Sequence, residues 1–384
     1  MIPYGKHHLD EADINAVVEV LRSDWLTQGP KVPEFEGVVA SYCSAKYALG
    51  LNSATSALHA ACLALGVGRG DHVWTSAISF VASANCAQYC GCTVDFVDID
   101  PVTANMSMES LEAKLIYAEK NQKLPKIVIP VDIGGSSCNM KRIKELSSQY
   151  GFSILEDASH ALGGSYGDLK VGSCEYSDAT VFSFHPVKMI TSLEGGMVLT
   201  NSKILAEKID LIRAHGIVRD SDMFSEKAEG PWHYEQSILG FNYRLNDVQA
   251  ALGISQMKKL DRFVSERNKK AEFYDQKLSD LPLKLPHRDL CIKSSFHLYI
   301  VRTNLESKKK TKKEIFDTLH RAGVLVGLHY IPIYRHPYYK KMGYMIEDYP
   351  GAEEFYQTAI SLPIYPTLSR DEQIYTVNSL KEAL

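Results

Sequence analysis

A lysine with no charged neighbours follows a strand-like segment of this sequence. Residues 180–184 are apolar enough for a buried strand, and Lys188 comes next in a proline-containing loop that leads to Gly195 and Gly196. Burial would lower the pKa of the Lys188 amine and supply the neutral form that adds to an aldehyde. The alternative is an ordinary lysine that extends its ammonium to the surface. The loop therefore raises the hypothesis of covalent amine chemistry.

An acid and a histidine follow another strand-like segment. Asp157 ends the apolar run 153–157, and His160 stands three positions later. Ligands of open parallel sheets bind outside the carboxyl ends of the strands. A carboxylate there can pair with the ring nitrogen of pyridoxal phosphate, and a histidine one helical turn on can reach the ring hydroxyl. Taken alone, Asp157 is equally compatible with a helix N-cap, and His160 with a buried structural histidine.

Small and hydroxyl-bearing residues precede a helical segment. The run 52–56, Asn-Ser-Ala-Thr-Ser, stands before the predicted helix 57–65. Unpaired amides and the helix dipole make such a start a place for an anion, although a Ser/Thr cap needs no ligand. Ser183, at the end of the strand before Lys188, is a further donor for a phosphate.

A fourth polar segment joins a loop to a long helical stretch. Asn242 and Arg244 supply donors there, and Asn246 is a plausible cap for a helix predicted over 246–270. Charge alone does not make this segment a site. Arg244 is a candidate for holding a substrate carboxylate only by its charge and position.

The elements that would position these residues alternate between strand and helix. Apolar runs near residues 46, 72, 93, 126 and 153 are separated by intervals long enough for crossover helices, which predicts an α/β fold with a mostly parallel sheet. We place a large α/β domain, with an N-terminal arm and helix, at residues 1–245. A smaller α+β domain, reached by the long helix, follows at 246–384, with strands predicted over 295–301 and 324–329.

Composition excludes several classes of protein. The 384 residues are 45% hydrophobic and carry a net charge of -4, and no run of Lys and Arg is long enough to suggest a nucleic-acid site. The densest basic cluster, 308–313, is interpreted as a solvated helix start rather than an anion site. The eight cysteines have no zinc-type spacing, so we predict reduced thiols and no metal. Because no signal core or apolar run of ~20 residues is present, we predict a cytoplasmic protein without membrane contacts.

The four motifs, in this order and spacing, resemble those of the DegT-type sugar aminotransferases, a branch of the fold-type I pyridoxal-phosphate enzymes. The resemblance extends from Tyr4 to the C-terminus and implies a large domain with a mostly parallel, seven-stranded-type sheet between helices. It implies that Lys188 is the Schiff-base lysine and that Asp157 lies under the pyridine nitrogen. The other implied cofactor contacts are Ala54, Thr55, Phe80, His160, Ser183 and, from the neighbouring subunit of a homodimer, Asn242.

Within the family the chain resembles the aminotransferases of pseudaminic acid biosynthesis, in the stretches 23–29, 327–334 and 360–363. These transfer an amino group from L-glutamate to the C4 carbon of a UDP-linked 4-keto-6-deoxy-N-acetylhexosamine. The resemblance implies substrate contacts at Tyr4, Asp24, Trp25, Leu26, Thr27, Gly327, Leu328, His329, Tyr330 and Tyr339. His185 either orients Lys188, contacts substrate or only packs. Met189 and Leu193 depart from common residues of the family, which leaves the identity of the sugar open.

Three alternatives differ in reaction. A sugar 3-dehydratase of the same family has histidine where this chain has Lys188, so the lysine disfavours that reaction. An aminotransferase for another nucleotide-linked 4-keto hexose or pentose is the main alternative. A non-catalytic cofactor-binding regulator usually carries a DNA-binding segment, and none is apparent in the sequence.

Overall fold

A computed structural model describes residues 1–304 and 310–384 of the chain. Its strands, in chain order, are β1 Ile2–Pro3, β2 Tyr47–Leu51, β3 His72–Ser76, β4 Thr93–Val97, β5 Ile127–Ile129, β6 Ser153–Asp157, β7 Ser165–Tyr166, β8 Leu169–Lys170, β9 Ala179–Ser183, β10 Gly196–Thr200, β11 Ile217–Val218, β12 Glu235–Gln236, β13 Leu283–Lys284, β14 Ile292–Lys293, β15 Tyr299–Thr303, β16 Val324–Leu325 and β17 Ala359–Leu362.

The α-helices of the same residues cover the sheets and connect their strands. They are α1 Glu11–Leu21, α2 Lys31–Cys43, α3 Ala54–Ala64, α4 Ala82–Tyr89, α5 Met108–Lys120, α6 Met140–Tyr150, α7 Lys203–Arg213, α8 Asp247–Met257, α9 Leu260–Leu278, α10 Lys312–Arg321, α11 Pro337–Lys340, α12 Pro350–Thr358 and α13 Arg370–Ala383. None of these helices is long and apolar enough to cross a membrane.

A seven-stranded sheet forms the centre of the fold, in the order β2-β10-β9-β6-β5-β3-β4. Strands β9, β6, β5, β3 and β4 are parallel, and β10 runs antiparallel to both of its neighbours. Apolar side chains alternate between the two covered faces. Ile127 and Ile129 pack in one hydrophobic cluster, whereas Val128 packs in another on the opposite face. The sheet confirms the predicted fold class.

The C-terminal part builds a smaller three-stranded antiparallel sheet, β13-β15-β17. The N-terminal arm contributes to this region, because β1 pairs with β16 and Ile2 is buried in the same cluster as Tyr299 and Leu319. The domain boundary near residue 245 stays a prediction.

Helix starts follow the capping rules, with one correction to the expected lengths. Asn246 caps α8 as predicted, and its side chain accepts from the Gln249 amide. The single helix predicted over 246–270 is wrong: a turn at 258–259 separates α8 from α9, and there the Lys259 ammonium binds Asp13 at 2.7 Å. Thr311 caps α10, so the described part of the basic cluster does begin a helix, while residues 308 and 309 lie outside the described residues.

Candidate active site

A cavity of about 380 Å³ lies at the carboxyl ends of β6 and β9. These strands are neighbours, with Asp157 paired in register with Val181, so their last residues meet at one edge of the sheet. The cavity brings together eleven of the residues singled out from the sequence: Tyr4, Ala54, Thr55, Phe80, Asp157, His160, Ser183, His185, Lys188, His329 and Tyr330.

One end of the cavity is the start of α3. Ser53 caps this helix by accepting from the Ser56 amide at 3.1 Å, which leaves the Ala54 and Thr55 amides with no acceptor in the described part of the chain. The Ser183 hydroxyl lines the same cavity. Unpaired amides at a helix start, with nearby hydroxyls, form a site for a phosphate or another small anion.

Gly196 makes this close arrangement of strand and helix start possible. The residue pairs with Leu51 on one side and Ser183 on the other. A Cβ atom built on Gly196 would lie 2.4 Å from the Ser53 carbonyl oxygen and 2.5 Å from the Ala54 nitrogen. These distances are too short for any side chain, so glycine at this position lets the strand pass directly beside the anion site.

A buried carboxylate lies elsewhere in the wall of the cavity. Asp157 is only 4% exposed, and its Oδ2 atom accepts from the Ser83 hydroxyl at 2.6 Å. Its other oxygen accepts from the Ser159 hydroxyl at 2.5 Å. Hydroxyl donors hold both oxygens in place, and no lysine or arginine forms a salt bridge with this acid among the described residues. The carboxylate is therefore oriented and still available to a cationic ligand group.

Lys188 follows a tight turn after β9, in which its amide donates to the His185 carbonyl at 2.9 Å. The side chain keeps intermediate exposure because it faces the cavity. Burial lowers the pKa of Lys188 to about 8, and the negative charge of Asp157 opposes this shift. An amine with this pKa has a substantial neutral fraction near neutral pH and can act as a nucleophile or a base.

Histidines from distant parts of the chain form another wall. His160 and His297 are each 4% exposed, with ring centroids 4.4 Å apart, and His329 accompanies them. Burial and the nearby Lys188 charge place the pKa of His160 and His297 well below the usual range, and that of His329 at about 4. The wall is therefore neutral at physiological pH.

Sequence reasoning did not identify His297, Ser83 or Ser159 as site residues. His297 lies just before β15, in a segment predicted to be strand, and its Nδ1 atom is buried without a partner within the described ranges. Ser83 lies in α4, and the only feature of the sequence that pointed toward it was the nearby aromatic residue Phe80. A buried, unpaired nitrogen beside a cavity is a property of the packed structure and has no local sequence pattern.

Several residues named from the sequence lie outside the cavity. Asn242 is exposed, its carbonyl accepts from the Asn52 side chain at 3.3 Å, and its backbone forms a bridge with Ala214. Trp25 and Leu26 are 57% and 50% exposed, and Asp24 and Thr27 are also exposed. None of these five residues lines the cavity.

The remaining predicted contacts are near the cavity wall or in the core. Gly327 forms a bridge with Ser361, and Leu328 packs against a core cluster. Tyr339 is 2% exposed, and its hydroxyl donates to the Asn85 side chain at 2.6 Å. Arg244 lies in a separate surface cleft, so the structure does not place it beside Lys188.

A buried arginine fixes the backbone behind the histidine wall. Arg267 of α9 is 1% exposed and donates to the carbonyls of Phe296, His297 and Ile364, at 3.2, 3.2 and 2.7 Å. It has no carboxylate partner in the described chain, and burial lowers its pKa to about 9. The Ile364 amide in turn donates to the Tyr4 carbonyl at 3.0 Å.

Comparison with known proteins decides the family. The sequence profile of the DegT/DnrJ/EryC1/StrS aminotransferase family matches residues 7–381. The chain belongs to this family. Its members depend on pyridoxal phosphate, and the chain is a sugar aminotransferase.

Two relatives that match almost the whole chain are named for a sugar nucleotide. A UDP-4-amino-4,6-dideoxy-N-acetyl-beta-L-altrosamine transaminase from Campylobacter jejuni is 39% identical over 388 residues, covering 99% of this chain and 96% of the relative. The transaminase of the same name from Helicobacter pylori is 37% identical over 369 residues, covering 95% and 93%.

Solved structures of the family share the fold. Helicobacter pylori PseC, an aminotransferase involved in the biosynthesis of pseudoaminic acid, superposes with a TM-score of 0.91 at 35% identity, covering 100% of this chain and 98% of that one. The PLP form of a putative sugar aminotransferase, Spr1654 from Streptococcus pneumoniae, gives 0.88 at 28% identity, covering 100% and 98%.

The cavity has the chemistry that this cofactor requires. The unpaired Ala54 and Thr55 amides suit its phosphate, the buried carboxylate of Asp157 suits a protonated ring nitrogen, and the amine of Lys188 suits its aldehyde. These unpaired and oriented groups meet in one cavity. The residues present therefore fit pyridoxal phosphate.

Proposed function

We propose that the enzyme transfers an amino group from L-glutamate to C4 of a UDP-linked 4-keto-6-deoxy-N-acetylhexosamine, giving UDP-4-amino-4,6-dideoxy-N-acetyl-beta-L-altrosamine. The observation that carries the proposal is the single cavity that combines Lys188, Asp157 and the open start of α3. The sequence similarity of the chain to altrosamine transaminases, over nearly its whole length, supports this choice of sugar.

The proposed roles follow from the positions of the side chains. Bound pyridoxal phosphate supplies a ring that accepts the electron pair left when a proton is removed from the donor's α-carbon. Nζ of Lys188, as a neutral amine, would take up that proton and deliver it to the C4′ carbon of the cofactor. In the second half-reaction the same amine would remove a proton from C4′ and deliver it to the C4 carbon of the sugar. Asp157, held by Ser83 and Ser159, keeps a positive charge on the ring nitrogen.

The phosphate group would be held by the Ala54 and Thr55 amides and by the Ser183 hydroxyl. Phe80 is 57% exposed where it lines the cavity, which leaves its ring face open for stacking on the cofactor. His160 is 4% exposed in the cavity wall and is proposed to lie beside the ring hydroxyl of the cofactor.

A homodimer with shared sites is part of the proposal. The exposed Asn242 side chain is proposed to reach the phosphate in the neighbouring subunit, since it lies outside the cavity of its own chain. The run from Asp24 to Thr27 is proposed to meet the substrate from the same surface, because its side chains are exposed. His185, at the cavity mouth, is proposed to contact substrate, with its Nε2 4.0 Å from Glu194.

Turnover of defined substrates tests the reaction. Purified enzyme is incubated with L-glutamate and the UDP-4-keto sugar, and 2-oxoglutarate and the amino sugar are measured in parallel. We expect equal amounts of both products. Turnover of other nucleotide-linked 4-keto sugars with a much higher kcat/KM would replace the proposed sugar while leaving the aminotransferase activity intact.

Two variants test the residue roles. Lys188→Ala should abolish borohydride-trapped attachment of the cofactor, while Lys258→Ala, at an exposed lysine, should retain it. Attachment that persists in Lys188→Ala would disprove the assignment. Mixing inactive Lys188→Ala and Asn242→Ala subunits should restore part of the activity, since one site of the mixed dimer is intact. No recovery in verified mixed dimers would contradict sharing of Asn242.

A further inference from the structure

The hydrogen bonds of His160 determine which of its nitrogens carries a proton. The Gly134 amide donates to Nδ1 at 3.3 Å, and an amide can only donate, so Nδ1 must offer a lone pair. Burial and the Lys188 charge hold the pKa of His160 well below its usual range, so the ring is neutral. A neutral imidazole that accepts at Nδ1 carries its hydrogen on Nε2.

This tautomer determines which group donates in the hydrogen bond between His160 and Tyr330. The Tyr330 hydroxyl oxygen lies 3.0 Å from Nε2 of His160. Since Nε2 carries the hydrogen, it donates and the Tyr330 oxygen accepts. The hydrogen of the Tyr330 hydroxyl is then free to point elsewhere. No second acceptor for it exists among residues 1–304 and 310–384, and Tyr330 lines the cavity.

The Tyr330 hydroxyl also keeps its hydrogen. Burial, followed by the negative charges of Tyr4 and Asp157 when ionised, raises the pKa of Tyr330 far above its usual range. The group is therefore an uncharged donor throughout the working range of the enzyme. His160, with both ring nitrogens engaged, can meet a ligand only if it gives up Gly134 or Tyr330.

We propose that Tyr330, oriented by Gly134 and His160, is the hydrogen-bond donor of this wall and binds an oxygen atom that carries no hydrogen. This rests on the proposed function, which supplies two such oxygens. One is the oxygen of the ring hydroxyl of pyridoxal phosphate in its ionised form, and the other is the 4-keto oxygen of the sugar. A sugar hydroxyl is a poorer match, because its oxygen already bears a hydrogen that must find its own acceptor.

The tautomer can be read without cofactor or turnover. In cofactor-free protein with 15N-labelled histidine, the His160 signals, assigned through their loss in His160→Gln, should show the Nε2–H tautomer at neutral pH. An Nδ1–H tautomer would overturn the proposal, because Tyr330 would then donate to His160. The result does not depend on which reaction the enzyme catalyses, because the protein is measured without cofactor or substrate.

The variant Tyr330→Phe distinguishes the two oxygens. If Tyr330 binds the ionised ring hydroxyl of the cofactor, the midpoint of the pH-dependent absorbance change of the bound cofactor should move to higher pH. The dissociation constant of the cofactor should also rise about tenfold, the effect of one lost hydrogen bond. If Tyr330 binds the keto oxygen, the spectrum stays unchanged and kcat/KM for the keto sugar falls about tenfold, with the glutamate half-reaction preserved.

The matched control is Tyr274→Phe, which removes a buried tyrosine hydroxyl that donates to the Pro363 carbonyl at 2.9 Å, outside the cavity. It should leave the spectrum and both half-reactions unchanged. Melting curves establish that both variants are folded. A folded Tyr330→Phe enzyme with unchanged spectrum, cofactor affinity and kcat/KM would overturn the proposal.

Discussion

Replacement of Gly196 by alanine tests the geometry of the anion site most directly. The new Cβ would lie 2.4 Å from the Ser53 carbonyl oxygen and 2.5 Å from the Ala54 nitrogen. Van der Waals contact needs about 3.5 Å, so strand and helix start must separate by about 1 Å. Hydrogen bonds of about 2.9 Å to a phosphate would lengthen beyond the range in which they are effective.

The cost can be estimated from the groups affected. Overpacking of this kind destabilises a protein by about 1–3 kcal/mol. Displacement of the Ala54 and Thr55 amides weakens two hydrogen bonds to a charged group, each contributing about 1.5–3 kcal/mol. Partial loss of both should raise the dissociation constant of pyridoxal phosphate about 10- to 100-fold, since about 1.4 kcal/mol corresponds to a factor of ten.

The assay is titration of cofactor-free protein with pyridoxal phosphate, followed by absorbance, with urea unfolding measured in parallel. Gly37→Ala is the control, because Gly37 is an exposed residue of α2 whose added Cβ meets nothing within 4 Å. That variant should bind the cofactor normally and be more stable by about 0.5–1 kcal/mol. A folded Gly196→Ala protein that binds cofactor within twofold of the wild type would refute the reasoning.

Other predictions concern charge, burial and thiols. In cofactor-free protein, where the Lys188 amine is not linked to pyridoxal phosphate, burial lowers its pKa to about 8. The free energy of unfolding should therefore rise as the pH increases from about 8 to the unfolded pKa near 10.4, and urea titrations of cofactor-free Lys188→Met should lack this rise. Arg267→Lys should lower the free energy of unfolding in urea by about 1–3 kcal/mol, because a lysine cannot donate hydrogen bonds to all three carbonyls. An unchanged midpoint of urea unfolding would contradict the stabilising role of Arg267. In native protein a thiol reagent should modify the exposed Cys291 far faster than the fully buried Cys62, and rapid reaction of Cys62 would contradict the packing.

The sequence predicted the sheet side of the cavity well, for a physical reason. Asp157 and Ser183 are the last residues of buried strands, and Lys188 follows one of them in a loop. The start of α3 carries its own capping pattern, so local signals locate all of these positions. Parallel neighbours then bring these positions to one edge.

The opposite wall could not be predicted in the same way. Residues 295–301 were expected to form a strand, yet β15 begins at Tyr299, and His297 lies in the turn before it. Its contact with His160 depends on how α9 and β15 pack against the large sheet, which no local pattern encodes. The predicted strand 324–329 is likewise limited to β16, so that His329 and Tyr330 lie in the following loop and reach the cavity.

The hydrogen bonds around Ile364 also have a practical consequence for handling the protein. Tyr4 lines the cavity, and its carbonyl accepts a hydrogen bond from the Ile364 amide. The Ile364 carbonyl in turn accepts a hydrogen bond from Arg267 of α9. Met1 is 97% exposed, only three residues before Tyr4. Loss of Ile2 and Pro3 during removal of a purification tag would delete β1 and its pairing with β16, next to Tyr4. N-terminal processing should therefore be verified by mass before any measurement of substrate affinity.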